Sequence, residues 1–161
     1  MKKFYILVVM LLVSVSAFAQ NGRSLYNKYS DSPNVEAVYI SPAMFRLIGK
    51  IPDIELQEEN VNLGPIIKKL SGLYVLNISD ERLAAELADD VKRFIQKGQY
   101  ELLMEAKDSG EVMRLYTVGN NDIVNSLVML GRSGNETSFI CIDGDMPREE
   151  LENLIAEAAK D

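Results

Sequence analysis

The side chains in this chain that could carry chemistry are carboxylates. Asp143 and Asp145 flank Gly144 just ahead of Pro147, with Glu149 and Glu150 close behind. Such a cluster suits a hard cation like calcium, which takes about 6 to 8 oxygen ligands. The calcium-loop spacing is missing, however, and the same residues fit a strand-to-helix turn whose acids complement the positive end of the next helix. Asp143 and Asp145 are therefore weak candidate metal ligands, and no cofactor is expected. Glu58-Glu59 and Asp89-Asp90 are further carboxylate pairs. Acid/base chemistry needs two carboxyls facing one cleft, roughly 5 to 9.5 Å apart in glycosidases, and neighbours on a helix do not face together. Both pairs read as solvated surface.

What the chain lacks excludes more. It has no histidine, so no histidine-based triad, imidazole metal ligand or unperturbed switch near neutral pH is available. Cys141 is the single cysteine, which rules out an intramolecular disulfide and any Cys-x-x-Cys site. It lies in the apolar run Ser138 to Ile142, where a thiol serves as a small buried hydrophobe. Ser-x-x-Lys, Gly-x-Ser-x-Gly and phosphate-cradling glycine loops are absent too.

The first nineteen residues decide where these groups would work. Lys2 and Lys3 precede an apolar run from Phe4 to Val13, and Ala17-Phe18-Ala19 is a small-x-small cleavage site before Gln20. That is the pattern of a secretory signal peptide, and its run is shorter than the roughly 20 residues that span a bilayer. Cleavage after Ala19 leaves 142 of the 161 residues, one domain's worth, and removing two lysines moves the net charge from −7 to −9. The expectation is export, to the periplasm of a Gram-negative cell or beyond it. Gln20 and Asn21 stand where a lipoprotein would need cysteine, so no stable membrane anchor is expected after cleavage. An acidic surface disfavours nucleic acid and anionic lipid as partners.

The elements that must position the acids follow from periodicity. Arg23 to Ser32 reads as a short helix, Val35 to Ser41 as a strand, and Pro42 opens a second helix closed by Gly49, well packed because its apolar residues surround it. The acidic stretch Ile51 to Asn62 has no period and reads as a solvated loop. Glu55, Glu58 and Glu59 in that loop are the candidate partner-binding residues. Leu63 to Leu70 predicts a third helix and Leu73 to Ile78 a second strand. Asp80 to Lys97 is the strongest helix, with Leu83, Leu87, Val91, Phe94 and Ile95 on one stripe. Four strands follow, Tyr100 to Lys107, Glu111 to Val118, Ile123 to Leu130 and Glu136 to Asp143, joined by turn-rich separators. Arg148 to Lys160 closes the chain as an amphipathic helix. This order predicts an α+β two-layer sandwich, a mainly antiparallel sheet with a C-terminal four-strand meander and helices on one face.

Three segments suggest a family: Asn27-Lys28-Tyr29-Ser30, Val38 to Phe45, and Tyr100 to Met104 with Lys107 to Glu111. They resemble the bacterial domain-of-unknown-function family 4252 over most of the chain after the leader. The resemblance implies a small exported or lipid-anchored envelope protein with no assigned activity, encoded in some cases near extracytoplasmic sigma factors. It offers no functional residues to carry over. The reading is an exported, non-catalytic binding module, its partner an envelope protein or small ligand, with a possible place in envelope stress or signalling. The alternatives are an envelope hydrolase using carboxylates and a structural or cell-surface component.

Overall fold

The computed structural model describes residues 21–48, 55–56, 61–62 and 64–158. In chain order these give α1 (Gly22–Tyr29), β1 (Val35–Ile40), α2 (Pro42–Ile48), β2 (Glu55–Leu56), β3 (Val61–Asn62), α3 (Gly64–Ile67), β4 (Leu70–Ile78), α4 (Glu81–Lys97), β5 (Glu101–Asp108), β6 (Glu111–Gly119), β7 (Ile123–Ser133), β8 (Glu136–Pro147) and α5 (Arg148–Ala158). Six strands form one antiparallel sheet in the order β1-β4-β8-β7-β6-β5. The fold is the α+β class expected, with β5 to β8 as the C-terminal meander. The hairpin turns are the ones their residues dictate: Asp108 pairs with Glu111 across Ser109 and Gly110, whose φ angles of 46° and 94° demand a primed turn.

The two helices of the main core begin where a side chain can satisfy their first amides. Asp80 Oδ1 accepts from the Leu83 N–H at 2.9 Å to cap α4, and Asn21 Oδ1 accepts from Ser24 at 3.1 Å to cap α1. The α4 stripe buries Leu87, Val91 and Phe94 against Leu76, Val128 and Phe139 of the sheet, in one cluster with Leu25 and Tyr29 of α1. These two helices lie on one face, chiefly over β4 and β8. The opposite face is met at one end only, where Ile66 of α3 and Leu151 of α5 join Val124, Met146, Leu127 and Ile142.

Three local expectations change. Leu63 to Leu70 was expected to be wholly helical, but α3 ends at Ile67 and Leu70 opens β4 opposite Gly144. A second strand gains more from ladder hydrogen bonds than an extra helical turn would. In α2 only Phe45 is buried, while Met44 and Leu47 are exposed. A two-turn helix lying on a sheet can bury one side only, so apolar residues around its circumference do not make it well packed. Within the stretch expected to be a solvated loop, Glu55–Leu56 pairs antiparallel with Val61–Asn62.

Asp90 corrects the reading of Asp89-Asp90 as a solvated pair. Asp89 is exposed, but Asp90 lies beside the stripe, three residues after Leu87 and four before Phe94, and its side chain is 12% exposed. It accepts from Tyr29 Oη at 2.6 Å and Lys28 Nζ at 2.5 Å, and pairs with Arg93. Glu86 joins Lys28 at 2.9 Å. The network clamps α1 onto α4. Burial pushes the Asp90 carboxyl up, but the hydrogen bonds from Lys28, Tyr29 and Arg93 outweigh it and hold the group below its ordinary 3.8. A depressed folded-state value contributes stability above the unfolded value and loses it as pH falls through the folded one. Asp90→Asn is therefore expected to cost about 1.5 kcal/mol at neutral pH, a modest figure because its cations are solvated. In urea titrations at stepped pH, the gap between variant and parent should close once the pH falls below the ordinary aspartate range.

Candidate interaction surface

The sheet's second face carries a feature built from all six strands. Following the ladder, Val38 pairs with Val75, Val75 with Ile140, Ile140 with Met129, Met129 with Leu115, and Leu115 with Met104. One apolar side chain from each strand thus stands in a single cross-strand row. Opposed residues in an antiparallel pair share a face, and these alternate with Leu76, Phe139 and Val128 on the core side. The four inner members are half-buried, whereas Val38 at one edge is 51% exposed and Met104 at the other is 45% exposed.

The two sides of this row differ. On one side the next row, Leu73, Ile142 and Leu127, leads under α3 and α5. On the other, Asn77, Ser138 and Gly131 follow in register. Gly131 has no side chain, and a Cβ there would touch only Ser138. The result is an open depression of about 320 Å³ lined by Ala106, Met113, Met129, Gly131, Glu136 and Ser138 among others. The surface is thus an apolar strip with a shallow notch and a polar margin.

Strand β5 forms one edge of the sheet, and all eight of its residues are exposed. A bulge between Leu102 and Met104 adds Leu103 to the strand. Leu102 therefore pairs with Tyr116 toward the core face, while Met104 pairs with Leu115 on the open face. The hairpin overhangs the helix layer, so apolar groups show on both of its faces. Three of its charges sit together: Glu105 holds Lys107 at 2.7 Å and Arg114 at 2.6 Å, and those cations keep its carboxyl below the ordinary range.

The acids singled out by sequence do not gather here. Asp143 and Asp145 lie in β8, not in a turn after it, because the strand runs on to Pro147. Asp143 Oδ1 accepts from Cys141 at 3.3 Å, and Asp145 Oδ1 accepts from Asn125 at 3.0 Å. No three metal-ligating side chains come together among the described residues. Glu55 is in β2, paired opposite Asn62; Glu58 and Glu59 lie outside the described residues. Burial and the adjacent Asp143 carboxylate push the Cys141 thiol well above the usual cysteine range. That keeps it a thiol, not a nucleophilic thiolate.

A family model for a domain of unknown function, DUF4252, matches residues 29–154. The chain belongs to the DUF4252 family. The DUF4252 span runs from the end of α1 into α5, so it contains the whole six-stranded sheet and the apolar row. Searches of curated proteins and of solved structures found no match. No helix among the described residues is long and apolar enough to cross a membrane.

Sequence reasoning passed over this row, although a signal for it was present. Leu127 to Leu130 and Phe139 to Ile142 are continuous apolar runs, whereas a sheet with one wet face alternates apolar with polar. Such runs mark strands that present apolar groups on both faces.

Proposed function

We propose that this DUF4252 protein is an exported, non-catalytic interaction module that holds an envelope protein partner against the open face of its sheet. The observation that carries the reading is the row from Val38 to Met104, apolar in every strand and still partly open to solvent. Large exposed apolar surfaces with a polar margin characterise interaction sites. The ionisable groups support binding over acid/base catalysis. Among the described residues, the carboxyls whose ionisation shifts are Asp90 and Glu105, and both move down beside cations. A general acid needs the opposite shift. Export is supported by the leader pattern of residues 1–19.

The test is recovery of a stoichiometric partner from the native envelope by the tagged chain beginning at Gln20. Val38→Glu and Met129→Glu place charges at an edge and in the centre of the row. Each is expected to lower recovery about tenfold or more, as loss of one desolvated anchor does, with the circular dichroism spectrum unchanged. Equal recovery by parent and variants would remove the sheet face from partner binding. A turnover abolished by one carboxylate change would replace this reading with the hydrolase.

A further inference from the structure

We propose that the open face of the sheet seats a basic amphipathic helix of the partner protein, with its apolar stripe along the row from Val38 to Met104 and its lysines and arginines toward the acids beside that row. The inference rests on the reading of this face as the partner's seat and adds the partner's chemistry.

The first argument is the sign of the charge. Alternate residues of a strand, and opposed residues of an antiparallel pair, share a face. Glu36, Asp108, Glu111 and Glu136 stand two or four residues along their strands from the row members Val38, Met104, Leu115 and Ile140, all on the side away from α3 and α5. Glu101 opposes Thr117, two residues after Leu115. The open face therefore carries these five acids, every one exposed and none in an ion pair among the described residues. Hydroxyls attend three of them without neutralising them: Ser133 donates to Glu111 at 2.7 Å, Ser79 to Glu136 at 3.3 Å and Ser109 to Asp108 at 2.9 Å. The cations of the six strands, Lys107, Arg114 and Arg132, are on the other face, opposed to Val112, Leu130 and Thr137. Lys68, Lys69 and Arg148 belong to the far ends of the strands, beside α3 and α5. An apolar floor with charge of one sign around it is complementary to a cationic amphiphile.

The second argument is shape. A segment lying on a sheet face meets side chains and not the ladder, so its own N–H and C=O groups must bond to each other, as they do in a helix. The row crosses all six strands, about 24 Å at about 4.8 Å per strand, which a helix of about 16 residues matches. Glu36, Glu136 and Glu111 are on β1, β8 and β6, alternate strands in the sheet order. Two strand spacings are about 9.6 Å, close to the roughly 10.5 Å that separates residues seven apart on one flank of a helix. The same acids disfavour the other occupants. An anionic lipid surface is repelled, and a second copy, itself at net charge −7, would bring acids to acids.

The test titrates the chain beginning at Gln20 into three labelled peptides, read by fluorescence anisotropy. The first peptide is a helix of about 18 residues with leucines on one stripe and lysines along its flanks. The second replaces every lysine by glutamate, and the third scrambles the first so that the leucine stripe is broken. The first is expected to bind at least about tenfold tighter than either of the others at about 50 mM salt. Glu111→Gln combined with Glu136→Gln should weaken it about fivefold there, and the loss should vanish near about 0.5 M salt. Met129→Gln should weaken it about tenfold at both salts, because that contact is apolar. Asp31→Asn combined with Asp89→Asn removes the same charge from exposed positions elsewhere and should leave affinity within about twofold. Denaturation midpoints serve as the folding control. Equal binding of the glutamate or scrambled peptide, or equal losses from the two charge-neutralised pairs, would overturn the proposal. Partner recovery by Val38→Glu and Met129→Glu judges the face separately, so a failure of the peptides beside a loss of recovery confines the error to the partner's chemistry.

Discussion

Truncating Leu87 to Ala is expected to remove about 2 to 5 kcal/mol of folding stability, the range for deleting a fully buried leucine side chain. Leu87 is 0% exposed at the middle of the α4 stripe. It shares one cluster with Leu76 of β4, Val128 of β7 and Phe139 of β8. Those strands are held by ladders on both sides and α4 is held by its Asp80 cap and the Asp90 clamp. The walls of the resulting cavity therefore cannot collapse inward, which puts the cost toward the upper part of the range. Urea denaturation monitored by circular dichroism measures it. A loss under about 0.5 kcal/mol would mean that this face of α4 is in solvent.

Gly119→Val should cost about 3 kcal/mol for a different reason, since it deletes nothing and adds volume where there is none. Gly119 is at the end of β6, where a register shift lets it pair with Val124. Any Cβ there would be driven into the Ile123 carbonyl oxygen and stand 2.9 Å from the Val124 Cα. Both are backbone atoms, so no side chain can turn aside. The Ile123 carbonyl also accepts the Asn120 N–H at 2.8 Å to close the turn, and displacing it opens that bond. Gly131→Val is the matched control: its Cβ meets only Ser138, at 3.7 Å. That variant should stay within about 0.5 kcal/mol of the parent in the same titration.

Local rules made much of the fold legible. Asp80 ahead of the Leu83 to Ile95 stripe fixed the start and facing of α4, and Asp108-Ser109-Gly110 fixed a two-residue hairpin. These are decisions taken within a few residues of chain. What escaped was decided across the sheet. Leu70 could not be assigned to a strand without knowing that Gly144 would stand opposite it. Asp90 could be placed against the core by its spacing, but its partners Lys28 and Tyr29 lie about sixty positions earlier. The apolar row is the extreme case, since its six members come from six strands and only the register aligns them. The acids that looked chemical in sequence owe their proximity to chain neighbourhood, and in the fold Asp143 and Asp145 turn to different partners.

The strand order has a consequence for how the chain is made. β8, the last of the sheet's six strands in chain order, sits between β4 and β7 near the centre of the sheet. Until it is present, the other strands of the six-stranded sheet form two separate pieces, β1 with β4 and β5 with β6 and β7, that share no ladder. The second piece consists of neighbouring hairpins that close quickly, whereas the first waits for a partner some sixty residues downstream. A ribosome releases the chain from the amino end, so Phe139 and Cys141 arrive after nearly every residue they must pack against. A chain stopped anywhere before Glu136 thus leaves the α4 stripe without its central strand, and the core closes only once β8 has arrived.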